Sequence, residues 1–161
     1  MRVLNVHQRQ FAASAPEVGA LIDGLGSASD RLWPPRWPRM RFDRPLGSGA
    51  SGGHGPIRYD VELYEPGKRI RFRLRSPRGF DGFHGFEVVA EESGATLRHT
   101  LEMNAHGSAR ITWPLIFAPL HDALVEDGLD AAAIALHEQP RLQPWSWRVR
   151  FLRRLFRLFR F

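Results

Sequence analysis

Ile57-Arg58-Tyr59-Asp60-Val61-Glu62-Leu63, Ile70-Arg71-Phe72-Arg73-Leu74-Arg75, His84-Gly85-Phe86-Glu87-Val88 and Leu97-Arg98-His99-Thr100-Leu101-Glu102-Met103 share one pattern. Mostly apolar or aromatic residues occupy every second position, and mostly charged or small residues fill the gaps. Successive side chains of a strand point to opposite faces, so this period predicts strands with one covered face and one wet face. Glu65-Pro66-Gly67-Lys68 and Glu91-Glu92-Ser93-Gly94 supply turns, which makes the four runs two antiparallel hairpins. The wet face carries Arg71, Arg73, Arg75 and Arg98 near Asp60, Glu62, Glu87 and Glu102. Cross-strand ion pairs of roughly 0.2–1 kcal/mol each explain it better than an anion-binding arginine ladder, because the acidic residues are interspersed.

Upstream, Val3 to Phe11 reads as an opening strand. Ser14-Ala15-Pro16-Glu17 is a capping box with proline near the first helical position. Val18, Leu21, Ile22 and Leu25 then follow at helical spacing, with Gly24 or Gly26 as the stop. Leu32-Trp33-Pro34-Pro35-Arg36-Trp37-Pro38 has too many prolines for a regular helix or a central strand, so a loop pinned by two tryptophans is expected. Gly47 to Gly55 reads as a mobile connection. Its Gly47-Ser48-Gly49-Ala50-Ser51-Gly52 matches GxGxxG literally. No strand precedes it and no helix follows, so a dinucleotide site is not expected, although the loop suits a lid.

Downstream, Trp113 to His137 has a helical pattern, with Pro114 and Pro119 early and Gln139-Pro140 as the end. Leu120, Leu124, Ala131, Ala135 and Leu136 trace its apolar stripe, while Asp122, Glu126 and Asp130 recur on another face. Gly128 and Ala131 to Ala133 allow close packing, and His121-Asp122 reads as solvated.

The last 21 residues, Arg141 to Phe161, hold seven arginines and no acid. The whole chain has 23 basic and 17 acidic residues, a net of +6, so residues 1–140 net −1. The expected organisation is a domain over 1–140 and a basic amphipathic tail over 141–161. On a helical wheel Arg150, Arg153, Arg154, Arg157 and Arg160 share a sector of about 120°. Phe156 and its apolar neighbours fill the wider arc, and Trp145 and Trp147 stand at the start, where interfacial tryptophans are expected. Such a helix is too short and too charged to span a bilayer but suits its interface, so these eight residues are the candidate membrane-binding set. Docking on the acidic Asp122-Glu126-Asp130 stripe is the competing reading. Nucleic acid is not an expected partner, because the neutral domain adds no basic face.

At 161 residues the chain suits one domain with a proper core. It contains no cysteine, which excludes disulfides, thiolate metal sites and a cysteine nucleophile, and fits a reducing cytoplasm. No signal peptide and no spanning segment is evident, so the expected place is the cytoplasm, peripherally at the inner face of the membrane.

The order strand, short helix, loop-rich stretch, antiparallel meander and long helix resembles the SRPBCC, or START-like, superfamily, which includes polyketide cyclase/dehydrase and lipid-transport proteins. Phe11-Ala12-Ala13-Ser14-Ala15-Pro16-Glu17-Val18, Tyr59-Asp60-Val61 through Phe72-Arg73-Leu74, and Leu97-Arg98-His99-Thr100-Leu101 leading to Trp113-Pro114-Leu115 carry the resemblance, over roughly residues 1–138. It implies an α+β helix-grip fold, a curved antiparallel sheet around a long C-terminal helix with an internal apolar cavity. It also implies binding of a hydrophobic small molecule or lipid, with a cyclase- or dehydratase-like enzyme as the alternative. The superfamily has no universal catalytic motif to carry over.

By parity the cavity face holds Tyr59, Phe72, Leu74, His84, Phe86, Val88, His99, Leu101 and Met103, with Trp113 and Phe117 opposite. An aromatic wall with a few polar groups is what ligand pockets present, and plain core packing accounts for each aromatic taken singly. His84, His99 and Tyr59 are the weak catalytic candidates, as general acid or base; a one-residue slip of register turns them outward. No cofactor is expected. No metal is expected either, because HExxH and other compact ligand spacings are missing among the seven histidines.

Overall fold

The alternating runs form the centre of a seven-stranded antiparallel sheet in the computed structural model, which describes the backbone of residues 1–158 and the side chains of 1–157. The strands are β1 (Arg2–Phe11), β2 (Arg41–Phe42), β3 (Ser51–His54), β4 (Ile57–Glu65), β5 (Arg69–Ser76), β6 (Phe80–Glu91) and β7 (Gly94–Ala105), in the order β1-β7-β6-β5-β4-β3-β2. Helix α1 (Ala15–Asp23) follows β1; α2 (Ala109–Thr112), a π-helical turn (Trp113–Phe117) and α3 (Ala118–Ala135) follow β7 as one continuous rod. Helix α4 (Trp147–Leu158) ends the described chain. This is the helix-grip architecture, with the concave sheet face closed by α3.

The alternation survives in the pairing. Tyr59, Phe72, His84 and Leu101 face inward across successive strands, and the outer face carries the expected ion pairs. Arg71 and Arg73 both meet Glu62, at 2.8 and 2.7 Å, Arg75 meets Asp60 at 2.6 Å, and Arg98 meets Glu87 at 3.1 Å. One position breaks the pattern. Val61 pairs with Phe72 and Leu63 with Arg71, so Glu62 is a bulge and the parity beyond it inverts. Leu63 therefore lies opposite Arg71 on the wet side, and Tyr64 turns inward opposite the buried Ile70.

Helix α1 starts as its capping box predicts: the Glu17 carboxylate accepts the Ser14 N–H at 2.9 Å. It packs against the β4–β5 turn so closely that a Cβ on Gly19 would collide with the Gly67 backbone. The Gly47–Gly55 stretch is not merely a connection. Ser51–His54 pairs with both β2 and β4, and only glycine fits at Gly53, whose added Cβ would strike the Ile57 carbonyl. Glycine enrichment there reflects close backbone approach inside a sheet.

The two prolines shape the rod. In the π turn the Ala118 N–H reaches back five residues to the Trp113 carbonyl. Pro119 has no N–H to offer to the carbonyls behind it, and Arg148 supplies the missing donor: its Nη2 reaches Pro114 O at 3.2 Å and Leu115 O at 2.8 Å.

Helix α3 is held to the sheet in two ways. Val125, Leu129, Ala132 and Ala133 enter the main core with Phe11, Leu21, Phe72 and Leu97. The acidic stripe is not free in solvent: Asp122 and Glu126 are half-buried and Asp130 is buried, all strapped to β1, whose Asn5, His7 and Arg9 alternate inward. Asn5 Nδ2 donates to Asp122 at 2.9 Å, His7 bridges Asp122 and Glu126 at 3.3 and 2.7 Å, and Arg9 reaches Glu126 at 3.1 Å and the buried Asp130. Asp130 also accepts the backbone N–H groups of Arg141 and Leu142, which turns the chain toward α4.

Candidate functional site

Between the sheet and the rod lies a cavity of about 340 Å³. Strands β5 to β7 contribute Leu74, Phe80, His84, Phe86, His99 and Leu101; the rod contributes Trp113, Phe117, Leu120, His121 and Leu124. The proline loop adds Leu32, Trp33 and Trp37, the β3–β4 hairpin adds His54 and Ile57, and α4 adds Arg153, Phe156 and Arg157. Volume and composition suit a small apolar molecule with a few fixed polar contacts.

Of the residues placed on this wall by parity, Leu74, His84, Phe86, His99 and Leu101 line the cavity, as do Trp113 and Phe117, expected opposite them. Tyr59, Phe72, Val88 and Met103 share the inner face but pack into the core. Parity identifies a face; it does not separate the part of that face covered by α1 and the loops from the part left open. His54 and His121 were not foreseen as wall residues. His54 sits in a strand disguised by glycines, and His121 precedes an exposed acid on a helix whose rotation only the β1 strap defines.

The polar lining of the cavity comprises the imidazoles of His54, His84, His99 and His121 together with Arg36, Arg153 and Arg157. His84 Nδ1 and His99 Nε2 lie 3.4 Å apart, and the His99 and His121 rings are 5.0 Å apart between centroids. Among the described residues, His84 Nε2, His99 Nδ1 and both His121 nitrogens are buried without a hydrogen-bond partner. Burial pushes His84, His99 and His121 below the usual histidine range, and pushes His54 down to about 3. These rings are neutral at neutral pH, and each carries one donor and one acceptor. A buried polar atom left unpaired costs about 1–3 kcal/mol, so a ligand with hydroxyl or carbonyl groups would relieve it. Tyr59 is differently placed: its hydroxyl lies 3.1 Å from His54 Nδ1, off the cavity, and burial raises its pKa, so it is poorly suited to proton transfer with a bound molecule.

The tail forms part of the enclosure. Val149 is buried against α3 and the proline loop, and Leu152 is buried as well. Arg153 is clasped between indoles, with its guanidinium carbon 4.0 Å from the Trp37 ring and 4.1 Å from Trp145, and it donates to the Arg36 carbonyl. Trp37 and Trp145 both donate to Asp127, at 2.7 and 3.0 Å. The tail thus meets α3 at Asp127 and Asp130, and Asp122 and Glu126 belong to β1. Phe156 borders the cavity. Outward, Trp147 is 73% and Phe151 59% exposed, beside exposed Arg150, Arg154 and Arg157. Arg160 lies outside the described residues. No described helix is long and apolar enough to cross a membrane.

No protein-family model matches the chain, and no curated protein does. Solved structures do. Norcoclaurine synthase from Thalictrum flavum, in complex with dopamine and hydroxybenzaldehyde, aligns with a TM-score of 0.63 at 16% identity, over 86% of this chain and 89% of that one. A Thermobifida fusca protein solved by NMR aligns with a TM-score of 0.62 at 17% identity, over 86% and 96%. CalU16 from Micromonospora echinospora aligns with a TM-score of 0.61 at 13% identity, over 96% and 83%. At such identities the likeness speaks for the fold alone, and strand order, gripping helix and apolar cavity agree with it: this chain has the SRPBCC-type helix-grip fold.

Proposed function

We propose that the chain binds a hydrophobic small molecule or lipid in the helix-grip cavity and acts as its carrier or sensor. The observation that carries this reading is the apolar cavity of about 340 Å³ between the sheet and the rod, with unpartnered imidazole nitrogens in its wall. The preferred ligand has an apolar body and a hydrogen-bonding head group, which the neutral imidazoles would meet as donors and acceptors and, for an acidic head, Arg36, Arg153 and Arg157 of the lining as countercharges. The norcoclaurine synthase neighbour, which holds dopamine and hydroxybenzaldehyde, is an instance of this fold with hydroxylated aromatics.

Mass spectrometry of organic extracts from the purified protein should reveal a stoichiometric apolar compound. A fluorescent apolar probe should bind the wild type and be displaced by that compound, and Leu101→Trp should abolish binding by filling the cavity. If nothing co-purifies and the probe ignores the wild type, the cavity is not a binding site.

The alternative is a cyclase- or dehydratase-like enzyme. It draws on His84 and His99, which line the cavity, each with an unpartnered ring nitrogen that could contact the reacting group of a bound substrate. His84→Gln and His99→Gln distinguish the two: an enzyme loses turnover of the identified ligand and keeps affinity, and a carrier has no turnover to lose.

A peripheral position on an anionic membrane surface is the second part of the proposal. It is favoured by the outward pairing of Trp147 and Phe151 with Arg150, Arg154 and Arg157. Trp147→Ser/Phe151→Ser leaves the inner contacts of α4 in place. Wild type should float with anionic vesicles and not with neutral ones, and the double variant should remain in solution. If wild type also remains in solution with anionic vesicles, this part of the proposal is lost.

A further inference from the structure

At His121, which lines the cavity, His7 of β1 meets the neighbouring pair His121 and Asp122 of α3. One ligand atom from each of His7, His121 and Asp122 lies within 4.8 Å of the other two. His7 Nε2 is 3.3 Å and His121 Nδ1 3.6 Å from the same Asp122 oxygen. A tetrahedral ion with metal–ligand bonds of about 2.0–2.1 Å separates its ligand atoms by about 3.3–3.4 Å. The two spacings to Asp122 bracket that value, and the two histidines present ligand atoms within 4.8 Å of each other.

The surroundings have the form of a metal site's outer shell. Glu126 accepts from His7 Nδ1 at 2.7 Å, which presents Nε2 to Asp122, as carboxylates commonly do for metal-bound histidines. Arg9 occupies the other Glu126 oxygen, so Glu126 is held in that orientation. Asn5 donates to Asp122 at 2.9 Å while its own Oδ1 is buried without a partner. Half a turn of its amide would direct that oxygen to the same point. Asp122 is 47% exposed, which opens a path for an ion and a water ligand.

An ionic strap alone explains Asn5, His7 and Arg9 against Asp122, Glu126 and Asp130, but it leaves His121 Nε2 buried without a partner and His121 Nδ1 with only the long 3.6 Å contact to Asp122. A proton between His7 and Asp122 does nothing for His121; a cation at their meeting point gives it a partner. We infer that His7, His121 and Asp122 form a binding site for a divalent transition ion of the zinc class, with Glu126 as the positioning residue for His7. Two imidazoles and one carboxylate are the donor set that such ions prefer over magnesium or calcium. The ion would staple edge strand β1 to the start of α3. It would also fix the His121 ring, which lines the ligand cavity, so that metal occupancy and cavity shape are coupled.

The test uses the full chain stripped by chelator and titrated with Zn(II) and Co(II). Calorimetry should give one site per chain, melting temperature should rise with Zn(II), and bound Co(II) should show the intense visible absorption of a tetrahedral site. His121→Ala and Asp122→Asn should each weaken binding more than tenfold, and Glu126→Gln by about 10–100-fold. The exposed His106 and His137 serve as controls, and their joint replacement by alanine should leave affinity unchanged. The proposal fails if 100 µM Zn(II) gives neither heat nor a melting shift with wild type, or if binding persists in a folded His121→Ala. It fails equally if the His106/His137 variant is the one that loses the ion. The wild-type titration decides the matter even where a variant does not fold.

Discussion

His84, His99 and His54 are neutral because burial costs the charged ring more than it costs the neutral one, and this has a consequence for acid stability. Their folded pKa values lie below the ordinary 6.5 of the unfolded chain. Above pH 6.5 both states are uncharged and the native state keeps its full stability. As pH falls below 6.5 the unfolded chain takes up protons that the folded rings refuse, so stability declines, by up to about 1.4 kcal/mol per pH unit for each ring. His7 has the opposite sign. Its hydrogen bond to Asp122, working against burial and reinforced by Glu126, raises its pKa, and this stabilisation is lost as pH rises through the folded value. Urea midpoints at pH 7.5, 6.5 and 5.5 should therefore fall toward acid, and His99→Phe should flatten that fall. An unchanged slope in the variant would mean that His99 is not refusing a proton. Arg153 permits a second prediction at this scale. Clasped by Trp37 and Trp145, its replacement by Met should cost about 1–3 kcal/mol, read from thermal melting, through lost cation–π attraction at a largely desolvated site.

At the scale of elements, the β1–α3 strap is the contact whose removal tells most. Arg9 and Asp130 are both buried, at 6% and 8% exposure, so Arg9→Ala leaves a carboxylate in the interior with only the Arg141 and Leu142 amides as partners. Breaking a buried pair from one side costs about 3–5 kcal/mol, and Arg9→Ala should lower the urea midpoint accordingly. Arg9→Ala/Asp130→Ala should recover part of the loss; a double variant no better than the single would show that Asp130 is not stranded. This strap also marks the limit of what the sequence discloses. Strands β4 to β7, the α1 capping box and the helical stretch before Gln139-Pro140 are legible because each rests on a local period or a local cap. Strand β3 is not, because Gly52 and Gly53 are selected by a neighbouring backbone and carry no period. The bulge at Glu62 is one residue without a local signal, and it misplaces Leu63. The acidic stripe on α3 gives no indication whether water, the tail or β1 answers it. The site suffers the same loss: five of the nine residues placed by parity line the cavity, as do Trp113 and Phe117 opposite them, whereas His54 and His121 depend on where distant elements meet.

On the scale of the whole molecule, the tail belongs to the enclosure of the cavity as well as to the outer surface. Its inner face buries Val149, Leu152 and Arg153, its side borders the cavity through Phe156 and Arg157, and Arg148 satisfies the carbonyls that Pro119 leaves free. Its outer face shows Trp147 and Phe151 among arginines. One helix cannot lay both faces on a membrane without leaving the domain, so surface binding and closure of the cavity compete for the inner face and are compatible only through the outer one. Fluorescence of a cavity-bound apolar probe separates these modes. A chain ending at Leu142 keeps the amides on Asp130 but loses this wall, and with it about 1.5–3 kcal/mol for each large apolar side chain thereby uncovered. It should melt lower than the full chain and release the probe faster. Anionic vesicles should speed release from the full chain if docking draws α4 away, and leave it unchanged if docking uses only Trp147 and Phe151; in neither case should they alter release from the shortened chain. Equal acceleration of both chains would show that the vesicles extract the probe on their own, and that the tail does not link the surface to the cavity.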